Sequence, residues 1–358
     1  MSCITRCLLA MLLASLPIAA AAETFTLKRT AKGLPDLSGN YDGGSLTPLN
    51  RPEAFGDRRH MSREEAQQIA QRTAQAFADQ QSDPDRGPPV KGGDGQQAYG
   101  AGGVGGYNAF YVDPGSAVDE IDGKIPTSII YDPANGRQPA MTPTARARAA
   151  DNASSFIYHN DGTASWLAKG GHGPFDCPED LALAERCLLG FTSGAPSLPS
   201  LYNNYRRIVQ TETHVIILLE MVHDARIIRL NGTHGPAANR KWLGDSVGHW
   251  DGDTLVVETT NFRDRSPLSG ADANLTVVER FRALENGDIH YDFTVTDPTA
   301  WTAPWSGEFI WKRSGERVYE YACHEGNYAM GNILRGARLL ESEWVAESGE
   351  PADSNGGN

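Results

Sequence analysis

Between Tyr202 and Cys323 apolar and polar residues alternate in short runs, and turn-forming pairs punctuate the runs at regular intervals. A period of two places alternate side chains on opposite faces of an extended chain, so each run reads as a strand with one buried face. Candidate strands are 206–210, 214–222, 225–230, 247–250, 254–260, 275–284, 289–296, 307–312 and 317–323. Asp251-Gly252, Asn286-Gly287 and Ser314-Gly315 supply hairpin turns. Eight or nine such strands usually close on themselves to hide their edges. The expected fold is therefore mainly β (α+β), a C-terminal antiparallel meander curled into a lipocalin-like barrel, with an irregular helical N-terminal half wrapped on it.

Residues 1–22 carry Arg6, an apolar run and then Ala19 to Ala22, the pattern of a signal peptide for a periplasmic or secreted protein. Residues 23–125 form a Gly/Pro-rich arm with one expected helix, over 63–80, capped by Ser62 with Glu65 three residues on. The stretch 87–106 has the composition of a flexible linker. Residues 126–201 mix loops with a strand at 127–131, a helix opened by Thr142 and Pro143, and a helix near 179–188. The barrel unit is expected over 202–345, ending in a helix from about residue 327 to 341 that plugs or flanks it. Residues 346–358 form a disordered tail. No later apolar stretch approaches the roughly 20 residues of a membrane span. The formal net charge is −13, which argues against nucleic acid or an anionic membrane as partner. A small molecule is the expected partner.

Of the five cysteines, Cys177, Cys187 and Cys323 lie beyond the leader. Export favours one disulfide, and three pairings are open. Cys187 with Cys323 is favoured, because it would tether the central segment to the end of the last strand.

Seven segments have a family likeness: PDLSGNYDGGSLTPLNRP from Pro35, SIIYDPANGRQPAMTP from Ser128, ERCLLGF from Glu185, YNNYRRIVQT from Tyr202, HDARII from His223, GDSVGHWDGDTLVVETTNF from Gly244 and YEYACHEGNY from Tyr319. On these the chain resembles a large family of exported bacterial proteins common in soil organisms, a family without an assigned activity. The resemblance supplies no catalytic residues. Val247 stands where that pattern leads one to expect a basic residue.

The chemistry-bearing residues gather at strand ends. Parity in 289–296 puts Asp297 on the face of Ile289, Tyr291, Phe293 and Val295, either capping the turn before Pro298 or entering a pocket. In 317–323 parity aligns Glu320 with His324, a pair suited to general acid–base work. His223, Asp224 and Arg226 follow the most apolar strand, and a buried Arg226 would either pair with an acid or hold a substrate anion. Asn203, Asn204, His249 and Asn261 would form a polar floor beneath walls of Trp301, Trp305, Tyr321 and Tyr328.

Two motif matches compete with this scheme. Gly100, Gly102 and Gly105 match G-x-G-x-x-G without the strand and helix it needs. Gly244, Ser246 and Gly248 match G-x-S-x-G, with Asp297 and His324 in hydrolase order, but a hairpin replaces the required helix. No contiguous metal motif is present and no cofactor is expected.

The expected function is a cofactor-independent lyase, hydratase or isomerase on a small, partly apolar molecule. His324 is the acid or base, Glu320 or Glu325 orients it, Asp297 or His223 is its counterpart, and Arg226 steadies negative charge. The alternatives are a periplasmic carrier and a serine hydrolase using Ser246.

Overall fold

The computed structural model describes residues 26–82, 112–155, 158, 161–266, 268–325 and 327–348. The leader, the linker-like stretch 87–106 with its glycine motif, and the tail from 349 lie outside the described residues.

Strands β1 (Gly39–Asp42), β2 (His60–Met61), β3 (Ile125–Pro126) and β4 (Ile130–Asp132) come from the first half of the chain. The second half supplies β5 (Tyr205–Gln210), β6 (His214–Leu219), β7 (Ala225–Leu230), β8 (Asp245–Asp251), β9 (Thr254–Thr260), β10 (Thr276–Ala283), β11 (Ile289–Thr296) and β12 (Trp305–Ser314). Helices α1 (Arg63–Ser82), α2 (Pro143–Asn152) and α3 (Tyr328–Ser348) complete the described elements. The order β1-β5-β6-β7-β8-β9-β10-β11-β12 returns to β1, so nine strands close a barrel, and β4 adds to β12 from outside that ring. The mainly β, barrel-containing α+β fold is as expected.

Three features depart from the simple meander. The closing stave is β1, contributed by the N-terminal arm, so residues 202–345 do not make the barrel alone. β7 and β8 run parallel, which needs a crossover of about a dozen residues or more, and residues 231–244 provide it. Arg229 clamps that pair through two 2.9 Å bonds to Asp245. Residues 317–323 are not a strand. β12 is already bonded to β11 and β1, so the ring offers no edge for another stave. The facing of Glu320 and His324 deduced from strand parity falls with it.

Local signals elsewhere act as their chemistry dictates. The Ser62 hydroxyl accepts the Glu65 N–H at 3.2 Å while the Glu65 carboxylate accepts the Ser62 N–H at 2.8 Å, which starts α1. Thr142 caps α2 by accepting the Ala145 N–H. The helix expected near 179–188 is replaced by a single 3₁₀ turn, Pro178–Asp180, after which Leu181 is extended and Cys187 takes a positive φ. α3 does not plug the barrel; it packs Ala337, Leu340 and Trp344 on Tyr158, Trp166 and Phe175 of the central segment.

The barrel interior is filled. Ile289, Tyr291, Phe293 and Val295 all point inward from β11, and they meet Phe281, Phe309, Trp305 and Trp311. Tyr291 and Trp311 stack with ring centroids 4.7 Å apart. Gly307 is required opposite them, because a Cβ there would lie 2.5 Å from the Phe293 ring. Trp301 and Trp305, expected to wall a pocket, are core residues instead.

Candidate functional site

The strand registers bring one set of ends to a common rim: the start of β5, the end of β6, the starts of β7 and β8, the end of β9, the start of β10, the end of β11 and the start of β12. Beneath that rim lies a layer of buried charge. Arg226 donates to both oxygens of Glu279 and, at 3.3 Å, to Thr259, while the Tyr291 hydroxyl donates to Glu279 at 2.7 Å. Neither member of the ion pair is exposed at all. Burial pulls the Arg226 pKa down, but the Glu279 carboxylate outweighs it and the net shift is upward. Burial, reinforced by Glu279, pushes the Tyr291 hydroxyl well up.

Arg206 is the second cation buried in this layer, and among the described residues no carboxylate hydrogen-bonds to it. Its guanidinium stacks over Trp311 at 4.5 Å and donates to the Ser197 hydroxyl at 3.0 Å, and to the carbonyls of Asn204 and Ser197 at 3.1 Å each. Burial lowers its pKa to about 10. Ser197 also donates its N–H to Tyr291. The loop around it therefore stops this end of the barrel, and Arg226 serves as a structural ion-pair member rather than a free anion receptor.

Outside the stopper the rim carries a more unusual arrangement. Val222 and His223 both adopt positive φ, 59° and 48°, and Cys187 does the same at 54°. For a β-branched residue such as Val222 this is a strained conformation that the surroundings must enforce. The enforcing bonds are visible. Cys187 and Cys323 are joined in a disulfide, which draws residues 319–325 across the rim. The imidazole Nδ1 of His223 then meets the Tyr321 carbonyl oxygen at 3.0 Å. A carbonyl only accepts, so Nδ1 carries the proton and Nε2 is the ring nitrogen left as a base. The next residue, Asp224, accepts from the Ser193 hydroxyl and, at 3.2 Å, from the Gly190 N–H. Burial raises its pKa against the pull of those donors.

Where β7 and β8 splay apart, beyond their paired residues, a cleft of about 330 Å³ opens beside this arrangement. Asp224 and Arg226 line it on one side, Trp242, Gly244 and Ser246 on another, and Leu188 and Leu189 complete the lining.

The other expected site residues divide by location. His324 follows the disulfide and is exposed, as are Glu320 and Glu325. Tyr321 supplies its carbonyl to His223, and Tyr328, at the start of α3, is exposed. Asn204 is buried and structural, its amide bonding the Asp113 and Ser200 carbonyls, and Asn203 holds a positive-φ turn. Asn261 also takes a positive φ and donates to the Gly235 carbonyl. His249 lies near the β8–β9 hairpin at the far end of the barrel.

Asp297 is a turn cap. It accepts the N–H groups of Thr299, Ala300 and Asp272 and the Thr299 hydroxyl, which consumes its oxygens. It stands four residues beyond Phe293, the partner of Glu279, about 14 Å further along the strand at ~3.4 Å per residue. Asp297 and Arg226 thus do not share a site. Ser246 is buried within β8 with its hydroxyl 2.9 Å from Thr259, and the strand runs on to a hairpin without the helix of a nucleophile elbow.

No protein-family model, curated protein or solved structure matches this chain.

Proposed function

We propose that the protein is an exported acid–base enzyme of lyase, hydratase or isomerase type, acting on a small, partly apolar molecule in the cleft between β7 and β8. His223, rather than His324, is the proton-transfer group in this proposal. The observation that carries it is the exposed, tautomer-fixed imidazole of His223 on strained backbone one residue before Asp224, which lines the cleft, since such strain persists only where the surroundings over-determine it and it concentrates at working sites. Asp224, one residue on, would orient the substrate through its partly buried carboxylate. His324, Glu320 and Glu325 would form the opposite lip, carried there by the disulfide. Export is supported by the leader pattern of residues 1–22 and by the cystine.

The test compares wild type with His223→Gln on a pool of small metabolites followed by mass spectrometry. Wild type should deplete one compound and form an isomer, or a product differing by water or a small fragment, while the variant leaves the pool unchanged by at least 100-fold in rate. A wild type that retains one compound intact and transforms none would make the protein a carrier. Equal turnover by the variant would remove His223 from the chemistry.

A further inference from the structure

A second cluster stands in the central segment. His172, Cys177 and Asp180 are spaced H-x4-C-x2-D around the turn Pro178–Asp180. A ring nitrogen, the thiol sulfur and a carboxylate oxygen from these three residues all lie within 4.8 Å of one another. Zinc bonds of about 2.0–2.3 Å at tetrahedral angles hold neighbouring ligand atoms roughly 3.3–3.8 Å apart. The three atoms are therefore within about an ångström of sharing one ion. The closest pair, His172 Nε2 and Asp180 Oδ1 at 2.6 Å, would open, and the wider ones would close.

The atoms that face away from this point are already engaged. His172 Nδ1 lies 3.3 Å from Asp176 Oδ2, and that carboxylate is held by the Gly173 N–H at 2.7 Å. Asp180 Oδ2 accepts the Cys177 N–H at 2.8 Å. A carboxylate on the far nitrogen of a histidine, and a hydrogen bond on the far oxygen of an acid, are the outer contacts that orient metal ligands. Cys177 is also the free thiol left when Cys187 and Cys323 pair.

We propose that His172 Nε2, Cys177 Sγ and an Asp180 carboxylate oxygen form a three-ligand site for a divalent ion of the zinc class, with water as the fourth ligand. Thiolate, imidazole and carboxylate together mismatch magnesium and calcium, which take oxygen shells, and suit Zn²⁺ or its Co²⁺ surrogate. Binding exchanges the thiol proton, released to solvent, for a sulfur–metal bond. Three protein ligands leave one exchangeable position, the arrangement of reactive rather than purely structural zinc. His172 and Asp180 also line a cleft of about 250 Å³, through which a small molecule could reach that position.

The test uses the full chain, freed of any histidine tag and dialysed against chelator, titrated with Co²⁺ alone. One equivalent should bind, with a sulfur-to-cobalt charge-transfer band in the near ultraviolet and tetrahedral ligand-field bands in the visible, and Zn²⁺ should displace both. Cys177→Ser should abolish the charge-transfer band. His172→Ala and Asp180→Asn should each weaken cobalt binding more than tenfold, and Asp176→Asn by about 10–100-fold. Circular dichroism and an intact Cys187–Cys323 bond would verify that each variant is folded. A wild type without the charge-transfer band, a Cys177→Ser variant that keeps it, or a folded His172→Ala variant with unchanged affinity overturns the assignment.

Discussion

Glu279→Gln is the perturbation that most directly probes the charged layer of the barrel. The substitution keeps shape and an acceptor for the Tyr291 hydroxyl but removes the only carboxylate among the described residues that meets Arg226, whose side chain is 0% exposed. Arg226 then becomes an unpaired buried cation in the same interior as Arg206, to which no carboxylate among the described residues hydrogen-bonds. Breaking a buried pair from one side costs about 3–5 kcal/mol, because the remaining charge keeps its desolvation penalty and loses its compensation. At roughly 2–4 °C per kcal/mol for a domain of this scale, the melting temperature should fall by about 6–20 °C. Urea unfolding is the appropriate assay, since guanidinium salts would screen the charge, and the midpoint should drop without a change in slope. The combination Arg226→Met, Glu279→Leu and Tyr291→Phe removes all three groups together. Thr259 would keep its bond to Ser246, while the Ser197 N–H loses its acceptor, the Tyr291 hydroxyl, at about 1–3 kcal/mol. Apart from that cost the variant should match wild type or exceed it. A loss below 1 kcal/mol for Glu279→Gln, or a triple variant as weak as the single one, would refute the claim that pairing rather than packing holds this layer.

Two further outcomes follow from buried chemistry. Burial raises the Asp119 carboxyl pKa to about 6 despite bonds from Ser45 at 2.5 Å and Thr47 at 3.2 Å. The folded chain therefore binds this proton more tightly than the unfolded one. Its contribution is fully present below the unfolded pKa near 4 and is lost as pH rises through about 6, by about 3 kcal/mol. Measured against wild type in urea from pH 4 to 7, Asp119→Asn should remove that decline, and parallel pH profiles would contradict the assignment. Replacing both Cys187 and Cys323 by Ala opens a loop of 136 residues, worth about 5 kcal/mol of chain entropy. Amide exchange should rise over residues 319–325 and at His223 while the β10 and β11 amides stay protected. Unchanged exchange over 319–325 would mean that the disulfide is not what positions that segment.

The barrel was legible because its signal is local: Ile289 to Val295 alternate cleanly, and the β8–β9 and β10–β11 hairpins each carry their Gly. The closing stave was not, because β1 is four residues of sequence Gly-Asn-Tyr-Asp in which Tyr41 alone points into the core. Such a strand is specified by its partners, β5 and β12, and carries almost no pattern of its own. The same parity that placed Asp297 correctly also aligned Glu279 with Val277 and Phe281, and Arg206 with Ile208. An inward carboxylate demands a cation, and those two rows could have announced the Arg226–Glu279 pair. The parity argument failed in 317–323 because a closed ring has no vacancy, a fact that belongs to topology and not to the segment. Sequence likewise linked Cys187 to Cys323 through tethering, yet it could not say that the tether would serve His223 instead of His324.

A filled barrel limits where any ligand can sit. Trp305, Trp311, Phe293 and the Arg206–Ser197 stopper occupy the volume that an open-mouthed barrel would offer, so chemistry is confined to the rim and the segments laid over it. On the rim the strained backbone of Val222 and His223, the strained Cys187 and the disulfide are linked: the cystine ties Cys187 to Cys323, and two residues before Cys323 the Tyr321 carbonyl accepts from His223. Left to its own preferences, a β-branched residue would relax from positive φ and release on the order of 1–3 kcal/mol. The barrel strands β6 and β7 on either side of the turn and the covalent link above it prevent that relaxation. In the enzyme proposed above, that restraint would keep the exposed imidazole of His223 in one tautomer and one direction.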